Sequence, residues 1–104
     1  MNEKLKTPEM DQLFRAVLKL GTTEECCAFF DDLCTVSELQ AMAQRLDVAR
    51  LLEDGNTYGR IGELTGASTT TVSRVTKALH YGSDGYKTIL ERLKPIYNFK
   101  AGQE

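Results

Sequence analysis

Ser68, Thr69, Thr70, Ser73, Arg74 and Lys77 crowd short hydroxyls and two cations into ten residues. A hydroxyl can both donate and accept a hydrogen bond. A lysine or arginine adds long-range attraction for an anion. On one face of a helix this set suits phosphate oxygens and the edges of bases in a duplex groove. It does not suit nucleophilic catalysis. A serine or threonine nucleophile needs an adjacent base, and the chain's one histidine, His80, falls in a turn-like stretch. No glycine-rich phosphate loop is present, so an enzyme is not expected.

The residues around this set dictate how it is held. Over 57–79, Ile61 and Leu64 are apolar at i, i+3 and can face a core. Gly62 is small where two helices would cross. Gly66 offers the left-handed backbone that ends a first helix without steric cost. Ser68 can cap a second helix by accepting a backbone N–H. Val72, Val75 and Leu79 give that helix an inner face. Two short helices meeting at a tight turn are predicted, in the arrangement of a DNA-reading helix-turn-helix. A generic helical hairpin shares some of these marks, but requires all of them to coincide by accident.

The rest of the chain reads as further helices. Thr7 precedes Pro8, which suits a first helical position. Met10, Leu13, Phe14, Val17 and Leu18 then form an apolar stripe, with Gly21 as its stop. Thr22–Glu25 and Thr35–Glu38 have capping-box spacing. Cys26, Phe29, Phe30 and Leu33 make an inner face for the second helix. Val36, Leu39, Met42, Ala43, Leu46 and Ala49 do so for the third, which runs to about Leu52. Asp54-Gly55-Asn56 reads as a turn. Gly82 stops the fifth helix and Ser83 caps a sixth bearing Tyr86, Ile89, Leu90 and Leu93, closed by Pro95. No segment alternates like a strand. The expected fold is all-α, six short helices in a single domain over residues 1–104. Its core is expected at about 8–54 and 83–94, its reading head at about 57–80, and a loose tail at 95–104.

Composition narrows the partners. The net charge is −2 over 104 residues, which does not by itself suggest nucleic acid. The charge is uneven, however. Residues 21–35 hold Glu24, Glu25, Asp31 and Asp32 and no lysine or arginine. Residues 57–80 hold Arg60, Arg74 and Lys77 against Glu63 alone. A local positive face presented twice by a dimer would suffice for modest phosphate contact. The broad apolar face of the first helix also favours a homodimer over a monomeric bundle, and a symmetric dimer matches a palindromic site. Cys26, Cys27 and Cys34 are odd in number, and two are adjacent, so a disulfide framework is not expected. No metal-ligand spacing occurs. No apolar run approaches the ~18 residues of a membrane helix, and no signal-like segment opens the chain, so a cytoplasmic location is expected.

Cys34-Thr35-Val36-Ser37-Glu38, Ala43-Gln44-Arg45-Leu46 and Gly66-Ala67-Ser68-Thr69-Thr70-Thr71-Val72-Ser73-Arg74 together resemble the bacterial Trp repressor superfamily. They are most similar to its YerC/YecD branch of Trp-repressor-related proteins, colinearly from about Leu13 to Leu93. The resemblance implies an intertwined homodimer of six-helix chains, with helices four and five as the DNA-reading head. It implies a sequence-specific transcriptional regulator, expected to be a repressor, acting on double-stranded DNA. Thr69, Thr70 and Ser73 become base-facing, and Ser68 and Lys77 phosphate-facing. Gly59 and Gly62 depart from the family, where polar side chains at those positions reach DNA. An effector pocket is implied at Thr35, Arg45, Thr71 and Arg74. Where the repressor has a glycine after the second arginine this chain has Val75, and Ala78 replaces a serine beside the ligand's amino group. A branched side chain in a slot made for a flat ring clashes with it or fills it. L-tryptophan is therefore not expected, no cofactor is implied, and another small effector stays open. The alternative is a dimeric protein-interaction module without specific DNA binding, docking a basic partner on the acidic residues 24–32.

Overall fold

The computed structural model describes residues 2–94. Among them lie six α-helices and no strand: α1 (Pro8–Leu18), α2 (Thr23–Leu33), α3 (Val36–Glu53), α4 (Tyr58–Thr65), α5 (Thr69–Tyr81) and α6 (Gly85–Leu93), after a single 3-10 turn at Glu3–Leu5. The all-α expectation holds. The predicted loose tail and the closing Pro95 lie outside the described residues. The chain divides into two compact units, one ending at Leu39 and the other beginning at Gln40.

In the first unit local capping chemistry sets the helix starts. Thr7 Oγ1 accepts from the Met10 N–H at 3.2 Å, with Pro8 at the first helical position. Thr22 Oγ1 accepts from the Glu25 N–H at 3.0 Å. The Glu25 carboxylate does not return to Thr22 as a capping box predicts. It accepts from the Gly21 N–H instead, at 2.7 Å. Gly21 is not the stop of α1. That helix ends at Leu18 with Lys19 as its cap, and Gly21 has no positive φ. Neither α1 nor α2 fully buries a residue; Leu18 remains 82% exposed.

The second unit holds the core. Val48, Ala49 and Leu51 of α3, Ile61 of α4, Ala67 of the turn between α4 and α5, Val72, Val75 and Leu79 of α5, and Leu90 of α6 are buried together. Every one is apolar, so the cluster leaves no polar group to desolvate. The predicted inner face of α3 is corrected here. Val36 and Met42 are exposed, while Val48 and Leu51 are buried. Apolar residues occur all round α3, so the i, i+3 stripe that starts at Val36 has no unique claim to the core. Leu64 is also exposed; it lines an open recess with Leu46, Leu90 and Leu93 rather than joining the core.

One expectation at the end of α5 needs correction as well. Ser83 does not cap α6. Asp84 stands there in a left-handed conformation, φ 62°, without a side-chain capping bond. Gly82 ends α5 as expected, with an extended backbone. A Cβ on Gly82 would run into the Ala78 carbonyl oxygen, and that collision is what requires the glycine.

Candidate nucleic-acid interface

The interface candidate is assembled by a chain of short local hydrogen bonds. Asn56 closes α3: its backbone N–H and its Nδ2 both donate to the Leu51 carbonyl, at 3.1 and 3.0 Å. Gly55 supplies the positive φ (89°) that lets the chain reverse there. Thr57 caps α4 by accepting from the Arg60 N–H at 3.1 Å. Ile61, fully buried, anchors α4 to the core.

The turn between α4 and α5 is stitched from both sides. Gly66 is left-handed, φ 73°, and its N–H donates to the Gly62 carbonyl at 2.9 Å. Thr65 Oγ1 donates to the Ile61 carbonyl at 2.7 Å and accepts from the Ala67 N–H at 3.1 Å. From α3, Gln44 Nε2 donates to the Thr65 carbonyl at 3.2 Å. Ser68 then caps α5, accepting from the Thr71 N–H at 3.1 Å. The left-handed turn predicted at Gly66 and the helix cap predicted at Ser68 are those observed. Gly62 differs from expectation. A Cβ there would sit 3.6 Å from the Ala67 carbonyl oxygen, an ordinary contact, so close crossing does not demand glycine.

With Val72, Val75 and Leu79 turned inward, α5 presents Thr69, Thr70, Ser73, Arg74 and Lys77 to solvent, all exposed. None of these five side chains finds a hydrogen-bond or ion-pair partner among the described residues. The helix from Thr69 to Tyr81 contains no aspartate or glutamate, so no acid of its own helix neutralises Arg74 or Lys77. The neighbouring cation on α4, Arg60, is held by Glu63 at 3.4 Å, both exposed. Exposed pairs of this kind contribute about 0–1 kcal/mol, so a phosphate could displace Glu63 cheaply.

The four residues of the implied effector pocket have distinct placements. Thr35, in the first unit, caps α3: it exchanges hydrogen bonds with Glu38, and its hydroxyl lies 3.4 Å from the Ser37 hydroxyl. Arg45 is exposed on α3. Thr71 is half-buried, its Oγ1 accepting from the Ser68 hydroxyl at 3.2 Å, and Arg74 follows it at i, i+3 on α5. Val75 is not in an open slot: it is 2% exposed inside the apolar core. Ala78 borders an apolar recess of about 430 Å³ with Leu46, Tyr86 and Ile89. The three cysteines are free, and no cluster of histidine, cysteine and carboxylate fit for a metal occurs among the described residues. Among the described residues no helix is long and apolar enough to cross a membrane.

Besides the bond from Gln44 to Thr65, a second contact escaped the sequence. Tyr58, the first residue of α4, donates its hydroxyl to Thr76 Oγ1 of α5 at 2.9 Å. The two residues are eighteen positions apart, and no spacing rule connects them.

These features define an all-α protein organised around a helix–turn–helix pair with a polar, unneutralised outer face. A family model described as Trp repressor protein matches residues 8–94. The chain belongs to that family. It is 55% identical over 92 residues to the uncharacterized protein YerC of Bacillus subtilis strain 168, covering 88% of each chain. A crystal structure of a TrpR-like protein from Eubacterium eligens ATCC 27750 superposes with a TM-score of 0.86. It is 49% identical and covers 88% of this chain and 95% of that one. A candidate Trp repressor from Staphylococcus aureus gives a TM-score of 0.85 at 50% identity, covering 88% of this chain and 91% of that one. The YerC-like branch is thereby supported.

Proposed function

We propose that this protein is a sequence-specific DNA-binding regulator of transcription, acting as a repressor by occupying an operator. One observation carries the reading: the outer face of α5 sets out Thr69, Thr70, Ser73, Arg74 and Lys77, exposed and without hydrogen-bond or ion-pair partners among the described residues, on a helix locked to the core by its other face. Thr69, Thr70 and Ser73 read base edges, where threonine offers a hydroxyl and a methyl that suits the thymine methyl. Ser68 and Lys77 contact phosphates and set the register. The protein works as a homodimer, so that two copies of α5 enter half-sites about one duplex turn apart. The family takes its name from a repressor rather than an enzyme, which agrees with this role.

The effector arrangement is part of the same proposal. Thr35, Arg45, Thr71 and Arg74 are the effector residues that the family resemblance implies, and in this reading they do not take L-tryptophan. Val75 is packed in the core and Ala78 offers no hydroxyl. The head is held by its own packing without a co-ligand.

Selection of bound duplexes from a random pool, with and without L-tryptophan, tests the reading. A shared palindromic sequence should emerge in both arms, with affinity falling steeply as salt rises. A pool that stays random, or binding that shows no preference over bulk DNA, overturns it.

A further inference from the structure

We propose that Tyr58 is a positioning residue of the DNA-reading head, pinning the first turn of α4 onto α5 through Thr76. This rests on the DNA-binding assignment of the head. The pin is a directed relay. Thr76 Oγ1 donates its own proton to the Val72 carbonyl at 2.8 Å. Its oxygen can therefore only accept from Tyr58, whose hydroxyl donates to it at 2.9 Å. Two linked hydroxyls thus run from the start of α4 to the backbone of α5, each polarising the other.

The first turn of α4 needs such a restraint. Gly59 follows Tyr58 in a helix of only eight residues, and a side chain there would meet nothing within 4 Å. Packing does not call for that glycine, yet it weakens the helix. Ile61 is the sole buried residue of α4 and sits a turn further on. Residues 57 to 60 are restrained within α4 by the Thr57 cap and the exposed Arg60–Glu63 pair, and toward α5 by the Tyr58 relay. The cap fixes the helix end to itself. Among the hydrogen bonds of the described residues, the relay is the one that ties that end to α5, and so it helps set the angle at which the two helices face a duplex.

The test uses the full chain and four variants: Tyr58→Phe, Thr76→Val, the double variant, and Thr76→Ser. Amide exchange at Ile61 and Gly62 is measured in the free protein. Tyr58→Phe and Thr76→Val should each speed it about 3- to 10-fold, the range expected for one lost hydrogen bond. The double variant should be no faster than the faster single, because both remove one relay. Thr76→Ser, which keeps the hydroxyl, should restore the wild-type rate. With the selected duplex, Tyr58→Phe should lower the ratio of specific to random-sequence affinity by about threefold or more, and Thr76→Ser should leave that ratio at the wild-type value. Unchanged exchange in Tyr58→Phe, or additive single effects, overturns the relay while leaving duplex selection intact. A wild-type chain that selects no duplex overturns the DNA-reading assignment, and with it the role given to Tyr58 there.

Discussion

Thr35 and Glu38 hold each other at the start of α3. The Thr35 N–H donates to Glu38 Oε1 at 2.8 Å, and the Glu38 N–H donates to Thr35 Oγ1 at 3.1 Å. Two backbone donors that a helix start leaves without partners are satisfied at once. The backbone bond from Thr35, then the bond between the two side chains, holds the Glu38 carboxyl below the ordinary glutamate range. A carboxyl lowered in the folded state binds fewer protons there than in the unfolded chain. Its stabilising effect is in place above the ordinary glutamate range and drains away as the pH falls through the folded value. Glu38→Gln should therefore lower the melting temperature at neutral pH by more than it does in strong acid. A difference between the two proteins that stays constant down to pH 2 would show that the ionised carboxylate has no special role.

Ile61 links the reading head to the core, and the link can be measured. It is fully buried and is the one buried residue of α4. Ile61→Ala should cost about 2–5 kcal/mol and Ile61→Val about 0.5–1.5 kcal/mol. Urea unfolding monitored by circular dichroism reads both. Equal small losses for the two variants would mean that α4 collapses around the gap and is not anchored there.

What could be read in advance divides along local and non-local lines. Thr7, Thr22, Thr35, Gly66 and Ser68 were legible because capping is decided within four residues of chain. Val72, Val75 and Leu79 were legible because the opposite face of α5 is polar throughout. The inner face of α3 was not. Val48 and Leu51 compete there with Leu46 and Met42, and only the packing of α4, α5 and α6 decides between them. The start of α6 is not legible from capping rules: Ser83 has the hydroxyl of a cap, whereas α6 begins from a left-handed aspartate, Asp84, that makes no side-chain capping bond. Within the site, the outer hydroxyls of α5 follow from sequence. The bonds from Gln44 to Thr65 and from Tyr58 to Thr76 do not, because they join residues about twenty apart through tertiary geometry.

Gly59 and Gly82 should respond in opposite ways to the same substitution. Gly59 is helical, has no positive φ, and has open space where a Cβ would stand. Gly59→Ala should stabilise the protein by about 0.5–1 kcal/mol through helix propensity alone. A Cβ on Gly82 would collide with the Ala78 backbone, which cannot swing aside as a flexible side chain would. Gly82→Ala should destabilise. Thermal melts of the two variants give the comparison; stabilisation by both would show that the end of α5 relaxes freely.

Thr70 and Lys77 lie on the same exposed face of α5, seven residues apart, yet they should fail differently. A threonine against a base edge discriminates between sequences. Thr70→Ala should relax preference at one position of each half-site by about 1 kcal/mol, the low end for a base contact. Its loss on random-sequence DNA should be small. A lysine against a phosphate attracts every duplex alike. Lys77→Ala should weaken specific and random-sequence binding together, and reduce the slope of log affinity against log salt by about 1. Titration of both variants against the selected duplex and a scrambled one, at several salt concentrations, separates the two behaviours. If Thr70→Ala lowers affinity uniformly while Lys77→Ala alters sequence preference, α5 lies in the groove in a different register from the one proposed. If neither changes binding, α5 is not the reading helix.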